Sequence, residues 1–272
     1  MIDKKIGIIG CGNMGEALLS RLSKVMEKSV SIMVSETDTS RRDYIQTKYK
    51  MIVEIDNNIV VKYSDVIILA VKPKDFDQIL KQEICCGISK DKLLVSIAAG
   101  VTLKYIENIV GKDIPVIRIM PNMAASIGEA ISTISRGASA GNKDVEIVKE
   151  IFSAVGDVIE IDESLVDAVT AISGSGPAYF FCLMDAMMEI AWKLGLDKAS
   201  ARRLVLKTAL GSVRLIQELQ EEPASMIKKV ASKGGTTEAA FKVFEKRCFK
   251  GIVHDAIKKA YKRAGELSKD RK

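Results

Sequence analysis

The sequence predicts an α/β domain with a mainly parallel sheet, followed by an all-α domain. Three observations carry that reading. Short, near-continuously apolar β-rich runs alternate with helix-capable stretches up to about residue 120, the pattern of a parallel sheet covered on both faces. A glycine-rich turn joins the first such run to the first helix. After about residue 162, apolar residues recur only at helical spacing. The boundary falls between 1–162 and 163–272.

The expected strands of the first half are KIGIIG, SIMVSE, DVIILAV, LLVSIAAG and PVIRIMP. Helices such as EALLSRLSKVMEK and TSRRDYIQTKYK lie between them, and EAISTIS and DVIEID extend the sheet at its edge. The first turn reads GCGNMG, with Gly10, Gly12 and Gly15. Following a strand and opening a helix, it has the context of a Rossmann-type dinucleotide site. Gly10 permits the tight turn, Gly12 lets the backbone approach a pyrophosphate seated on the helix N-terminus, and Gly15 lets helix and strand approach closely.

The second strand ends in VSETDTSRR. Glu36 lies 21 residues past Gly15, near the spacing for a carboxylate on the adenosine ribose, which favours NAD. Ser35, Thr37, Arg41 and Arg42 could instead hold a 2′-phosphate, which favours NADP; both NADH and NADPH stay open. Ligands of open α/β sheets bind beyond the carboxyl ends of the strands. The turns Ala70–Val71–Lys72–Pro73 and Ser96–Gly100 are therefore candidate ribose and nicotinamide contacts, and Asn57, in an expected loop, could join them.

Composition fits a soluble globular chain: 47% hydrophobic and 28% charged. No apolar run reaches the roughly 18 residues of a membrane span. The N-terminus MIDKKIGIIG has lysines before an apolar run, but glycines interrupt it and no small-residue cleavage site follows. It reads as a first strand, and the protein as cytoplasmic. The five cysteines, Cys11, Cys85, Cys86, Cys182 and Cys248, form no C-x-x-C pair and read as buried, reduced thiols, with no metal site. The net charge of +6 gathers in KKAYKRAGELSKDRK, where bases alternate with apolar positions at helical spacing. That is a solvated helix face rather than a nucleic-acid stripe.

The helical half contains SLVDAVTAI, PAYFFCLMDAMMEIAWKLGL, KASARRLVLKTALGSVRLIQEL, EAAFKVFEKR and GIVHDAIKKAYKRAGEL. The second of these is apolar nearly all round and should be buried on every side, which argues for a partner subunit. Two stretches break the helical rhythm: Ser173–Gly174–Ser175–Gly176–Pro177 and Gly234–Gly235–Thr236–Thr237. In each, bare N–H groups at a new helix could receive an anion such as a substrate carboxylate.

A dinucleotide site implies hydride transfer, and the sequence limits the partner reaction. The single histidine, His254, sits in an expected C-terminal helix, and Tyr44 and Lys48 form a Y-x-x-x-K far from the nicotinamide end. The usual base for alcohol oxidation is missing. A protonated cyclic imine already accepts hydride and needs one weak proton donor, such as a threonine hydroxyl or an ordered water.

AVKPKDF, VSIAAGVT, IRIMPN, AISGSGPAYFF and VASKGGTTEAAF, in this order behind GCGNMG, resemble pyrroline-5-carboxylate reductase over essentially the whole chain. The resemblance implies NAD(P)H-dependent reduction of 1-pyrroline-5-carboxylate to L-proline, the last step of proline biosynthesis. It implies that Ile9, Gly10, Cys11, Gly12, Asn13 and Met14 contact the pyrophosphate, that Asn57 and Ala70 to Pro73 contact ribose and nicotinamide, and that Ala98 and Ala99 line the pocket. Glu163 would meet the substrate's ring nitrogen. Ser232, Gly234, Gly235, Thr236 and Thr237 would bind its carboxylate, with Thr237 the proton donor. Gly176 and Pro177 would shape the helix beside the site. The helical half would be a dimerisation domain of a homodimer or an oligomer of dimers, with loops of one subunit completing the site of the other. The chain departs from the family where Lys233 replaces a proline, where Lys229 replaces a neutral polar residue, and at Glu36, where some members take a phosphate. Two extra cations near a carboxylate would tighten its binding or mark a different acid substrate.

Two rivals share parts of the plan. A β-hydroxyacid dehydrogenase places a catalytic lysine four residues after a G-S-G turn, where this chain has Phe180, an apolar ring unable to move a proton. A non-catalytic dinucleotide sensor would bind nucleotide without turnover.

Overall fold

The computed structural model describes residues 4–25, 32–111 and 113–269. Met26–Lys28 of the first expected helix, Ser31 of the second expected strand and residues 270–272 of the basic tail lie outside the described residues.

In chain order the first half runs β1 (Ile6–Ile9), α1 (Asn13–Val25), β2 (Ile32–Ser35), α2 (Thr39–Tyr49), β3 (Val53–Glu54), α3 (Asn57–Tyr63) and β4 (Val66–Leu69). It continues with α4 (Pro73–Ile79), a π turn (Leu80–Ile84), α5 (Cys85–Gly87), β5 (Leu93–Ser96), α6 (Leu103–Val110), β6 (Val116–Met120), β7 (Ala130–Arg136), α7 (Asn142–Ser153) and β8 (Gly156–Glu160). The helical half holds a 3-10 turn (Glu163–Leu165), α8 (Val166–Val169), a π turn (Thr170–Gly174), α9 (Gly176–Lys193), α10 (Lys198–Leu219), α11 (Pro223–Val230), α12 (Thr236–Lys246) and α13 (Phe249–Lys269).

All eight strands form one sheet in the order β3-β2-β1-β4-β5-β6-β7-β8. Every neighbouring pair is parallel except β6 and β7, which pair antiparallel from Ile117↔Arg136 to Met120↔Thr133. The expected edge strands EAISTIS and DVIEID are β7 and β8. The two-residue β3 escapes a period-based reading because so short a strand shows no period. Strands β1, β4 and β5 are buried at every residue, the signature of a sheet covered on both faces. Alternate side chains feed two cores. Ile6, Ile8, Val66 and Ile68 meet Leu18 and Leu22 of α1 and Val148 and Phe152 of α7 on one face. Ile9, Ile67, Leu69 and Leu94 meet Val60 of α3, Phe76 of α4 and Ile106 of α6 on the other.

The strand order reverses between β1 and β4, and this switch point opens a crevice at the carboxyl ends of the strands. The described residues group into two compact units: those of Met1–Ser175 with Ala260–Lys272, and Gly176–Lys259.

Within the second unit, α9 is largely exposed in a single chain, which agrees with the expectation of a partner subunit, whereas Cys182 and Cys248 are exposed and not buried as expected. The only buried residue of α9 is Gly176, and Phe180 and Trp192 are 60% and 54% exposed. α10 buries only Ala201 and Val205. The unit is a set of helices with too little mass to enclose its own apolar surface.

Candidate nucleotide and substrate sites

The β1–α1 turn is built by its glycines. Gly10 has φ +85°, in the left-handed region that disfavours a side chain, and its amide donates to the Ser35 carbonyl at 2.9 Å. A Cβ on Gly15 would run into the Gly10 carbonyl oxygen, so only glycine lets α1 start this close to β1. A Cβ on Gly12 would meet nothing within 4 Å. Gly12 thus presents bare backbone to the crevice, which is what a bulky anion needs.

That crevice is a cleft of about 560 Å³. Its walls bring together the expected cofactor residues Ile9, Gly10, Gly12, Asn13, Ser35, Glu36, Asn57, Ala70, Val71 and Lys72, with Thr37 and Arg41. Asp38, Asp75 and Ile79 line it as well; the first two stand within VSETDTSRR and AVKPKDF, though neither is among the expected contacts. Among the expected residues, Cys11, Met14, Gly15, Pro73, Ala98 and Ala99 are not in its walls. Cys11 and Gly15 are buried beneath the turn, and burial pushes the Cys11 thiol up to about 12. Met14 faces a neighbouring cavity with Glu16, Tyr44 and Lys48. Pro73 is the first residue of α4, where its missing N–H costs nothing. Ala98, buried, donates its amide to Ser96 Oγ at 3.3 Å in the loop after β5.

Polar contacts fix the cleft walls. Glu36 Oε2 accepts from the Cys11 amide at 2.9 Å and Oε1 from the Asp38 amide at 3.0 Å. Asn57 is not in a loop as expected: Asp56 caps α3 and Asn57 opens it. Its Oδ1 accepts from buried Ser35 Oγ at 2.6 Å, and its Nδ2 donates to Glu83 Oε2 at 2.8 Å. Arg41 donates from Nε to the Cys11 carbonyl at 2.7 Å and pairs with Glu16. Lys48 also reaches Glu16, at 2.7 Å, so the Y-x-x-x-K pair serves this ion cluster. Arg42 donates to the Glu36 carbonyl at 3.3 Å and is not in the cleft wall.

Glu163 stands in the 3-10 turn after β8. Its Oε1 accepts from Arg118 at 2.9 Å and from the Leu103 amide at 2.7 Å. Arg118 is 3% exposed, a cation inside the β6 strand. Its one signal in the sequence is an arginine inside the apolar run VIRIM.

The two glycine-rich interruptions differ. The first follows a π turn (Thr170–Gly174): the Ser175 amide donates to the Thr170 carbonyl at 2.9 Å, and α9 then starts at Gly176, followed by Pro177, which has no N–H. Ser173 Oγ accepts from Asn122 at 3.1 Å. The extra residue of the π turn carries the backbone past Gly174 to the start of α9. The second interruption is a helix start with no π turn before it. Gly235 is the N-cap of α12 and provides no side-chain cap. Gly234 has φ +76° and donates its amide to Glu238 Oε2 at 2.5 Å, so a carboxylate of the chain itself sits on this turn. Ser232 is exposed, and its carbonyl accepts from the Gly235 amide at 3.0 Å. Thr237 lines an apolar groove of about 300 Å³ with Leu215, Ile227 and Phe241. Lys229 pairs with Glu221, which neutralises one of the two unusual cations; Lys233 is exposed. His254 is exposed on α13.

Among the described residues no helix is long and apolar enough to cross a membrane. A family model described as pyrroline-5-carboxylate reductase dimerisation matches residues 163–267, and one described as NADP oxidoreductase, coenzyme F420-dependent, matches residues 5–100. A pyrroline-5-carboxylate reductase of Synechocystis sp. is 41% identical over 97% of this chain and 98% of its own. The solved structure of a pyrroline-5-carboxylate reductase from Coxiella burnetii is 32% identical, covers 98% of this chain and 99% of its own, and superposes with a TM-score of 0.88. That of the Plasmodium falciparum pyrroline carboxylate reductase, with NADP bound, is 26% identical with the same coverage and TM-score.

Proposed function

This chain belongs to the pyrroline-5-carboxylate reductase family, and we infer that it reduces the C=N bond of 1-pyrroline-5-carboxylate to give L-proline, the last step of proline biosynthesis. One observation carries the reading at the level of the site: a glycine-built cleft at the sheet's switch point, lined by the residues that hold a dinucleotide. The cleft fits the cofactor because Gly12 leaves its floor open and the Glu36 carboxylate, held by the Cys11 amide just past β2, would meet the adenosine ribose. When bound, NADH or NADPH supplies the hydride.

The chain's own residues have three tasks. The β1–α1 turn receives the pyrophosphate on its amides, while Asn57 and Ala70 to Pro73 hold ribose and nicotinamide, beside Ala98 and Ala99. Ser232 and the Gly234–Thr237 segment bind the substrate carboxylate. The occupation of the Gly234 amide by Glu238 supports this, since a carboxylate already finds a place there. Thr237 donates the proton for the ring nitrogen, and Glu163 orients that nitrogen. The apolar face of α9, exposed in one chain, is covered by a second copy in a homodimer, and the enzyme works in the cytoplasm.

Replacing Thr237 by Val tests the acid assignment. Proline formation should fall at least about 100-fold while nicotinamide binding is kept. Unchanged turnover would remove Thr237 from the chemistry.

A further inference from the structure

The cleft wall speaks to which nicotinamide it admits. Three of the four groups that could greet a 2′-phosphate, Ser35, Arg41 and Arg42, have another task, which leaves the neutral Thr37 in the wall. Ser35 Oγ is buried and donates to Asn57 Oδ1 at 2.6 Å. Arg41 is held by the Cys11 carbonyl at 2.7 Å, the Gly12 carbonyl at 3.3 Å and the Glu16 carboxylate. Arg42 points to the Glu36 carbonyl at 3.3 Å, outside the cleft wall. Glu36 itself is locked in place, with one backbone amide on each carboxylate oxygen and a lone pair free on each. Across the wall, three carboxylates (Glu36, Asp38 and Asp75) face two cations (Arg41 and Lys72), and one of those cations is already paired.

We propose that Glu36 makes this chain selective for NADH: its carboxylate accepts the 2′-hydroxyl of the adenosine ribose and repels the 2′-phosphate of NADPH. The proposal rests on the nucleotide cleft of the reading above. A ribose hydroxyl is a neutral donor and matches a fixed acceptor. A phosphate is an anion with no donor at neutral pH, so placing it against a fixed carboxylate adds like-charge repulsion.

The test is direct binding without imine, by nicotinamide fluorescence with NADH and with NADPH, backed by ADP-ribose and its 2′-phosphate as competitors. The full chain should bind NADH at least about tenfold more tightly than NADPH, and the competitors should rank the same way. Glu36→Gln and Glu36→Ser should shrink that ratio at least about tenfold, mostly by improving NADPH. Arg41→Ala should weaken both nucleotides and leave the ratio unchanged. Equal or tighter NADPH binding by the unmodified chain overturns the proposal, as does a ratio that Arg41→Ala shifts and Glu36→Gln does not. Binding of neither nucleotide overturns the cleft assignment and the proposal with it. Selective NADH binding without proline formation would uphold the selectivity and overturn the reductase reading alone.

Discussion

The Arg118 guanidinium and the Glu163 carboxylate lie 2.9 Å apart, the first inside strand β6 and the second in the turn that leads into the helical half. Arg118 has almost no exposed surface, so Glu163 is its counter-ion as well as the acceptor for the first amide of α6. Removing one member of such a pair leaves a buried charge without compensation, at a cost of about 3–5 kcal/mol. Glu163→Ala should therefore lower the urea-unfolding free energy by about 2–4 kcal/mol, the low end reflecting the partial exposure of Glu163. The double variant Arg118→Met, Glu163→Leu should recover most of that loss. A Glu163→Ala protein as stable as the parent would show that Arg118 finds its charge balance elsewhere.

The glycines of the β1–α1 turn separate binding from packing. Gly12 has open space where a Cβ would go, whereas a Cβ at Gly15 collides with the Gly10 carbonyl. Gly12→Ala should change stability by less than about 0.5 kcal/mol. It should nevertheless weaken NADH binding at least about tenfold by filling the pyrophosphate's approach. Gly15→Ala should cost about 1–3 kcal/mol as α1 is pushed off β1. Thermal unfolding and fluorescence titration of both variants check the pair, and equal behaviour of the two would contradict the assignment.

These two sites also mark what the sequence exposes and what it hides. The glycine turn is legible because its requirement is local: three glycines at fixed spacing between a strand and a helix leave few alternatives. The apolar strands are legible because burial on both faces leaves no polar alternation. The Arg118–Glu163 pair joins residues 45 positions apart, and the Ser35–Asn57–Glu83 relay spans 22 and then 26. No local pattern encodes such partners. The π turn at Thr170–Gly174 is hidden for a related reason: glycines and a proline signal a break, but whether the backbone takes one extra residue before it depends on its tertiary surroundings. The need of α9 for a partner is legible, since a helix apolar nearly all round is more than one small helical unit can hide.

Acid should weaken the ion cluster beside the turn. Burial opposes ionisation of Glu16, but hydrogen bonds from Lys48, Arg41 and Tyr49 outweigh it and hold the carboxyl below its usual 4.5. A group whose pKa is lowered by folding stabilises the native state fully above its unfolded value and loses that contribution as the pH falls through the folded one. At pH 7, Glu16→Gln should cost about 1–2 kcal/mol, between the limits for exposed and buried ion pairs. The gap between parent and variant should close as the pH is lowered below 4.5. A gap that widens on acidification would reverse the sign and exclude the cluster as a source of stability.

Transfer of labelled hydride tests the central claim most directly. The purified chain, given 1-pyrroline-5-carboxylate and NADH carrying deuterium at both C4 positions, should yield L-proline one deuterium heavier. The label should sit on the ring carbon that was double-bonded to nitrogen, with one nicotinamide oxidised per proline formed. Unlabelled proline, label at the carboxylate-bearing carbon, or no nicotinamide oxidation with this imine would contradict the account.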